Sequence, residues 1–161
     1  MKESIHKYFQ VGTIQWMSHP HKDVLESIRT ICCDDYYDAV EIRRFTDEAT
    51  RDTARKMLEE SHLKVCYGAQ PSLLGPKLNP NDLDEAGRAE AETVLKKCLD
   101  EAEYLGAKGI AFLAGKWKAE TREESYQQLL KTTRNICSYA MSKQMSVELE
   151  VFDYDTGCIL L

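Results

Sequence analysis

The chain has no apolar run approaching the roughly 20 residues needed to cross a bilayer, so no membrane span or membrane partner is expected. It also lacks an excess of positive charge. With a formal net charge of -6 and a sequence pI near 5.3, it is poorly suited to phosphate backbones, and no nucleic-acid partner is expected. The six cysteines, at positions 32, 33, 66, 98, 137 and 158, contain no C-x-x-C pair. That spacing excludes a zinc ribbon or a thioredoxin-type motif. Cys32 and Cys33 follow an amphipathic run and read as reduced, partly buried thiols. Residues Met1 to Lys7 are polar and lack the apolar core of a signal peptide, so the expected location is cytoplasmic. No low-complexity tract or linker divides the chain, and its 161 residues suffice for one domain, 1–161, with a sizeable core.

What is present is an alternation of strand and helix patterns. Val11 to Met17 reads as a strand, and Lys22 to Cys33 as a helix with Val24, Leu25, Ile28 and Ile31 on one face. Ala39 to Arg43 is a short strand. Thr46 or Asp47 caps the next helix, which carries Ala54, Met57 and Leu58 inward and ends near Ser61 and His62. Leu63 to Ala69 is a third strand, followed by a Pro- and Asn-rich loop from Gln70 to Asn81. Asp84 to Leu105 has the strongest helical periodicity, with Gly106 placed to end it. Gly109 to Ala114 is a fourth, nearly all-apolar strand. Thr121 and Glu124 have capping-box spacing and open a helix to about Lys143, before a fifth strand from Val147 to Asp153.

Short apolar strands alternating with helices predict an α/β fold with parallel strands. Both an open doubly wound sheet and a barrel satisfy that order. A dinucleotide-binding open sheet carries a Gly-rich turn after its first strand, whereas Met17 to His21 contains no glycine. Polar residues at the carboxyl ends of the strands favour the barrel, whose sites lie there.

Those ends supply Gln15, Trp16 and His19, then Glu41 and Arg43, then Tyr67 and Gln70, then Lys116 and Trp117, and finally Glu150, Asp153 and Asp155. Acids, amides, an imidazole and aromatic faces suit a polyol or sugar, whose hydroxyls need hydrogen bonds and whose C–H faces stack on rings. Each also has a plainer reading: Glu41 and Arg43 as a neutralising pair, Tyr67 as a core ring, Lys116 as a solvated charge. The fifth strand is the most telling. Alternation puts Glu148, Glu150 and Phe152 on one face and Val147, Leu149 and Val151 on the other, so two carboxylates are expected inside, where they must be paired, neutralised or bound to a metal.

The segments Asp35 to Glu41, Tyr67 to Pro71, Asn81 to Asp84, Leu105 to Gly109 and Leu149 to Asp155, in this order and spacing, resemble the xylose isomerase-like sugar phosphate isomerase/epimerase barrels. The resemblance implies the N-terminal portion of a (β/α)₈ TIM barrel, about four and a half of its βα units, in a C-terminally truncated member. It implies a catalytic, metal-ligating Glu150, to which the strand-end reading adds His19, Glu41, Arg43, Gln70, Lys116 and Trp117 as the substrate-binding candidates. The cofactor would be Mn²⁺, Mg²⁺, Co²⁺ or Zn²⁺, polarising a carbonyl while carboxylates move a proton between adjacent carbons of a sugar or sugar phosphate. The remaining ligands of such a site, acids and a histidine from later strands, are not in this sequence. The expectation is therefore an incomplete, inactive isomerase/epimerase fragment, with no metal necessarily held, whose open sheet edges promote self-association. Two alternatives stand beside it. One is a noncatalytic sugar-binding or interaction module; the other is an endonuclease IV-like phosphodiesterase barrel, which would need more metal ligands and a basic groove.

Overall fold

The computed structural model describes residues 4–151 and 157–158. Five strands form one parallel sheet in the order β1 (Gly12–Ile14), β2 (Ala39–Ile42), β3 (Lys64–Gly68), β4 (Gly109–Leu113) and β5 (Ser146–Glu150). Helices α1 (Gln15–Ser18) and α2 (Val24–Cys32) separate β1 from β2, and α3 (Glu48–Glu60) separates β2 from β3. Next come α4 (Gln70–Leu74) and α5 (Glu85–Tyr104), then α6 (Arg122–Ser142) before the last strand.

Side-chain alternation gives this sheet two unlike faces. Val40, Ile42, Tyr67, Ile110 and Phe112 are buried and form one core with Ile28, Ile31, Leu58, Leu95, Leu99 and Ile136 from the helices, while Val147 and Leu149 pack against it. The opposite face carries Glu41 in register with Cys66, Ala111 with Glu148, and Leu113 with Glu150. On that face Cys66, Glu148 and Glu150 are exposed. A parallel sheet is usually covered on both sides; among the described residues only one side of this one is. The two β5 glutamates are therefore not buried, contrary to the expectation from the strand's apolar composition. Alternation puts both on one face, but among the described residues no layer desolvates that face at β5. Phe152, Asp153 and Asp155 lie outside the described residues.

Helix ends follow local chemistry in most places. Asp23 Oδ1 accepts from the backbone N–H of Leu25 and Glu26 at 2.9 and 3.3 Å, and Asp47, rather than Thr46, caps α3 by accepting from Thr50 N–H at 2.8 Å. Gly106 takes φ +83°, and the Ala107 N–H then closes on the Ala102 carbonyl at 2.9 Å to finish α5. Three local expectations fail. β1 stops at Ile14 because Gln15 to Ser18 turn into a short helix, with Ser18 Oγ donating to the Ile14 carbonyl at 2.9 Å. The long loop begins with α4, where Pro71 sits in the first helical turn and so needs no N–H partner. Thr121 makes no side-chain cap, because a 3₁₀ turn over Ala119–Thr121 leads into α6 instead.

A buried ionic cluster ties α5 to α6. Arg88, 3% exposed, donates to Glu85 at 3.0 and 2.8 Å, to Glu92 at 2.7 Å and to Thr132 at 2.9 Å. Thr132 Oγ1 passes the connection on, donating to the Pro80 carbonyl at 2.7 Å. The segment after α4 is thereby anchored to the helical layer. No helix among the described residues is long and apolar enough to cross a membrane.

Candidate functional site

The carboxyl ends of β2, β3 and β5 meet on the open face. Gln70, just past β3, donates from Nε2 to Glu150 Oε2 at 2.7 Å. Gly68 makes the meeting possible. A Cβ there would press on Glu41 Oε1 and lie 2.6 Å from both Gln70 Oε1 and Trp16 Cη2, distances that real Cβ atoms do not tolerate. Gln70 Oε1 is buried with no hydrogen-bond partner.

Burial and neighbouring charge both act on the Glu41 carboxyl. Burial raises the Glu41 pKa, the Glu150 charge raises it further and Glu148 adds to the rise, while a hydrogen bond with the Gln70 carboxamide opposes it. Glu41 thus keeps its proton to higher pH than an ordinary glutamate. Cys66, beside it in register and exposed along one side, has its thiol pKa raised by the partial loss of hydration among its neighbours and then by Glu41 and Glu148, with Lys64 opposing. A thiol so placed is a poor nucleophile. Half-buried Glu41, the Gln70 carboxamide and Trp16 together offer a carboxyl, an amide donor and acceptor and an aromatic face, a set able to bind a polyhydroxylated ligand.

The other predicted residues divide around this cluster. Arg43 does not pair with Glu41 among the described residues; its guanidinium carbon lies 5.9 Å from the Trp16 ring centroid, a cation–π placement at the rim of the same site. Gln15 turns away. It is 5% exposed and donates to Ser27 Oγ at 2.6 Å between α1 and α2. His19 follows α1 as its C-terminal cap through its backbone, and no hydrogen bond or ion pair joins its side chain to the cluster among the described residues. Tyr67 is a core ring, 1% exposed, whose hydroxyl reaches Glu101 Oε1 at 3.4 Å.

Lys116 and Trp117 line a separate cleft beyond β4. There the Lys116 carbonyl accepts from Asn81 Nδ2 at 2.8 Å and Asn79 Nδ2 at 3.1 Å, and Trp117 Nε1 donates to the Cys158 carbonyl at 3.1 Å. Gly115 admits the two asparagines, since a Cβ there would collide with both carboxamide oxygens. Nothing in the local sequence distinguishes Gly68 and Gly115, because the side chains they make room for come from distant segments.

Among the described residues no group of three or more His, Cys, Asp or Glu side chains is placed to hold a metal ion. Glu150 offers a carboxylate, but one of its oxygens is taken by Gln70, and the neighbouring Glu41 carboxyl has its pKa raised by burial and by the Glu150 charge. Catalytic zinc sites use three protein ligands. The residues present do not by themselves fit one.

A family profile described as xylose isomerase-like TIM barrel matches residues 34–159. The chain belongs to this family. Its five parallel strands and flanking helices are accordingly a partial TIM barrel. Among solved structures, this family member is similar to a D-psicose 3-epimerase determined in the presence of D-fructose, with TM-score 0.77, 17% identity, and coverage of 94% of this chain and 55% of that one. It is similar to an AP endonuclease, family 2, from Brucella melitensis, with TM-score 0.74, 13% identity, and coverage of 94% and 60%. It is also similar to the IOLI protein with a binding zinc atom, with TM-score 0.73, 17% identity, and coverage of 94% and 54%. The chain thus spans a little over half the length of these structures, and at such identities the likeness shows the fold. No curated protein sequence matches the chain.

Proposed function

We propose that this family member carries part of a sugar isomerase/epimerase site, binds a ketose on its open sheet face, and does not turn the sugar over alone. The bridge from Gln70 to Glu150, with Glu41 and Trp16 held beside it over Gly68, is the observation that carries this reading. Gln70 and Glu150 are the hydrogen-bonding groups, Glu41 is a half-buried carboxyl neighbour with a raised pKa, and Trp16 with Arg43 forms the rim. Support for a sugar comes from the epimerase fold neighbour determined with D-fructose, and support for a metal in the complete site comes from the neighbour holding zinc. Glu150 would be one ligand of that metal, with the others supplied from outside the described residues.

Calorimetry with D-fructose, with and without Mn²⁺, tests the proposal. The isomerase/epimerase reading expects Mn²⁺ to strengthen ketose binding where self-association brings a second copy's carboxylates to Glu150, and Glu150→Gln to abolish that gain, with no epimerised product. A noncatalytic sugar-binding module instead binds the ketose equally without Mn²⁺ and tolerates Glu150→Gln. Neither ketose nor Mn²⁺ binding would sink both readings, and turnover by this chain alone would refute its incompleteness. A phosphodiesterase is disfavoured by the net charge of -6 and by an open face bearing Glu41, Glu148 and Glu150.

Self-association belongs to the same proposal. β1 and β5 are the outer strands of the described sheet, each paired on one side. Unpaired strand edges recruit other strands. Sedimentation velocity is expected to show concentration-dependent association, and a monodisperse monomer across the range would contradict it.

A further inference from the structure

A cleft of about 870 Å³ opens between α4 and the end of β4, walled by Leu73, Leu74, Leu78, Leu113 and Cys158. Leu74 is 53% exposed within this aliphatic setting. Exposed apolar surface that is contiguous in this way marks a docking surface. We infer that the cleft is a groove for an extended apolar segment, and that its occupant is the chain's own Ile159-Leu160-Leu161, continuing from Cys158.

The two described residues that lead into this segment already enter the groove. Gly157 takes φ +68°, a left-handed conformation that glycine adopts without steric cost. Cys158 then forms an antiparallel bridge with Lys116, accepts from Trp117 Nε1 through its carbonyl at 3.1 Å, and is 4% exposed. Main-chain pairing on an exposed edge, with side chains dropping into pockets, is how extended peptides are held. The template beneath is fixed. Asn79 and Asn81 donate to the Lys116 carbonyl at 3.1 and 2.8 Å, and Thr132 donates to the carbonyl of Pro80 between them at 2.7 Å.

The chemistry of the next three residues matches the groove. They carry no charge and no polar side-chain atom. The charged residues around the groove leave its leucines free: Lys77 and Lys116 are exposed, and Asp82 Oδ1 accepts from Asp84 N–H at 3.0 Å in the turn before α5. Side chains alternate along an extended segment, so Leu160 falls on the side of Cys158 and meets the leucines. Three extended residues reach about 10 Å, comparable to the width of a cleft of this volume. Held at the groove wall by Cys158, they compete with any free partner from a high effective concentration, which favours them over a second copy. Leu113 is the register partner of Glu150, so the docked segment borders the Gln70 and Glu150 cluster, yet the groove stands whether or not that cluster binds a sugar.

Thiol labelling of the native full chain, read residue by residue in peptide mass spectra, tests the docking. Cys158 is expected to label about tenfold or more slowly than exposed Cys33, and Leu160→Asp and Leu74→Asp each to remove most of that protection. Leu74 is exposed, so its replacement leaves the fold intact, and buried Cys98 on α5 should stay protected in every variant as the sign of an intact core. Met141→Asp, at an exposed apolar position on α6 outside the groove, is the control that keeps Cys158 protected. Should an aspartate expose Cys98 as well, Leu160→Ser decides by the same reading. Fast labelling of Cys158 in the parent chain overturns the inference, since the groove is then open. Protection that survives the substitutions at both Leu74 and Leu160 overturns it too, because the Lys116 bridge alone then holds Cys158. Protection that fades on dilution would assign the groove to a second copy instead of the chain's own residues.

Discussion

Replacing Arg88 by methionine should cost about 3 kcal/mol of folding stability, and the reason lies in what it leaves behind. Methionine fills much of the space of the arginine stem, so little cavity is made. The loss falls on Glu92, 8% exposed, which keeps Lys96 at 2.7 Å and Asn135 at 2.9 Å but loses the Arg88 contact at 2.7 Å. Removing one partner of a buried ion pair costs about 3–5 kcal/mol, and the two surviving donors hold the figure to the lower end. Urea unfolding followed by far-UV circular dichroism measures it. With a slope of about 2 kcal/mol/M, the midpoint should fall by about 1.5 M without a change of slope. The double variant Arg88→Met, Glu92→Leu should recover most of the loss, since it removes the abandoned charge along with its partner. A single-variant loss below about 1 kcal/mol, or a double variant no better than the single, would refute the reasoning.

The pH dependence provides an independent check on the same cluster. Burial acts to raise the Glu92 pKa, but hydrogen bonds from Asn135, Lys96 and Arg88 outweigh it and hold the carboxyl at about 2, against an ordinary 4.5. Between those values the unfolded chain binds the proton and the folded chain does not, so stability rises with pH across this window and is fully present above 4.5. Acid titration of the urea midpoint should therefore be steeper in the parent than in Arg88→Met between pH 2 and 4.5.

Further substitutions probe the open face and the end of α5. Glu41→Gln should raise the melting temperature at pH 7, because a carboxyl whose pKa is raised costs stability once ionised, and the gain should vanish as the pH falls below the ordinary carboxylate range; calorimetric scans at pH 7 and pH 3.5 measure both. Gly68→Ala should cost only about 1 kcal/mol, since the Glu41 and Gln70 ends can swing away while the Trp16 ring must shift, yet it should lower D-fructose affinity in calorimetry about tenfold. Gly106→Ala, where φ is +83° and no atom lies within 4 Å of the new Cβ, should cost about 1–2 kcal/mol by urea unfolding for conformational reasons alone and leave ligand binding untouched.

Much of the framework is legible because it is written in local periodicity. Val40 and Ile42, or Ile110 and Phe112, announce strands by alternation, and Leu95, Cys98, Leu99 and Ala102 announce α5 by helical spacing, with Gly106 as its stop. Errors arise where one local signal competes with another. Gln15-Trp16-Met17 extends the apolar pattern of β1, but a Ser18 side chain bonded back to Ile14 closes a helical turn instead. Pro71 reads as a breaker, although in the first turn of α4 its missing N–H is no loss.

The candidate site is legible only in part, for a different physical reason. Glu41, Gln70 and Glu150 could be named because polar residues at the carboxyl ends of parallel strands fall on one mouth whatever the intervening sequence. Their interaction could not be, because it depends on a missing Cβ at Gly68 and on a Trp16 ring arriving from another element. Glu148 and Glu150 show the limit most sharply: alternation decides which face of β5 a side chain occupies, but the burial of that face is set by chain segments far away in sequence. The inference that two inward carboxylates must be paired or metal-bound was conditional on desolvation, and on this uncovered face that condition is unmet. What remains for Glu150 is a hydrogen bond from Gln70 and a half-buried acidic neighbour, so its chemistry here is governed by what comes to cover the face, be it sugar, metal or protein.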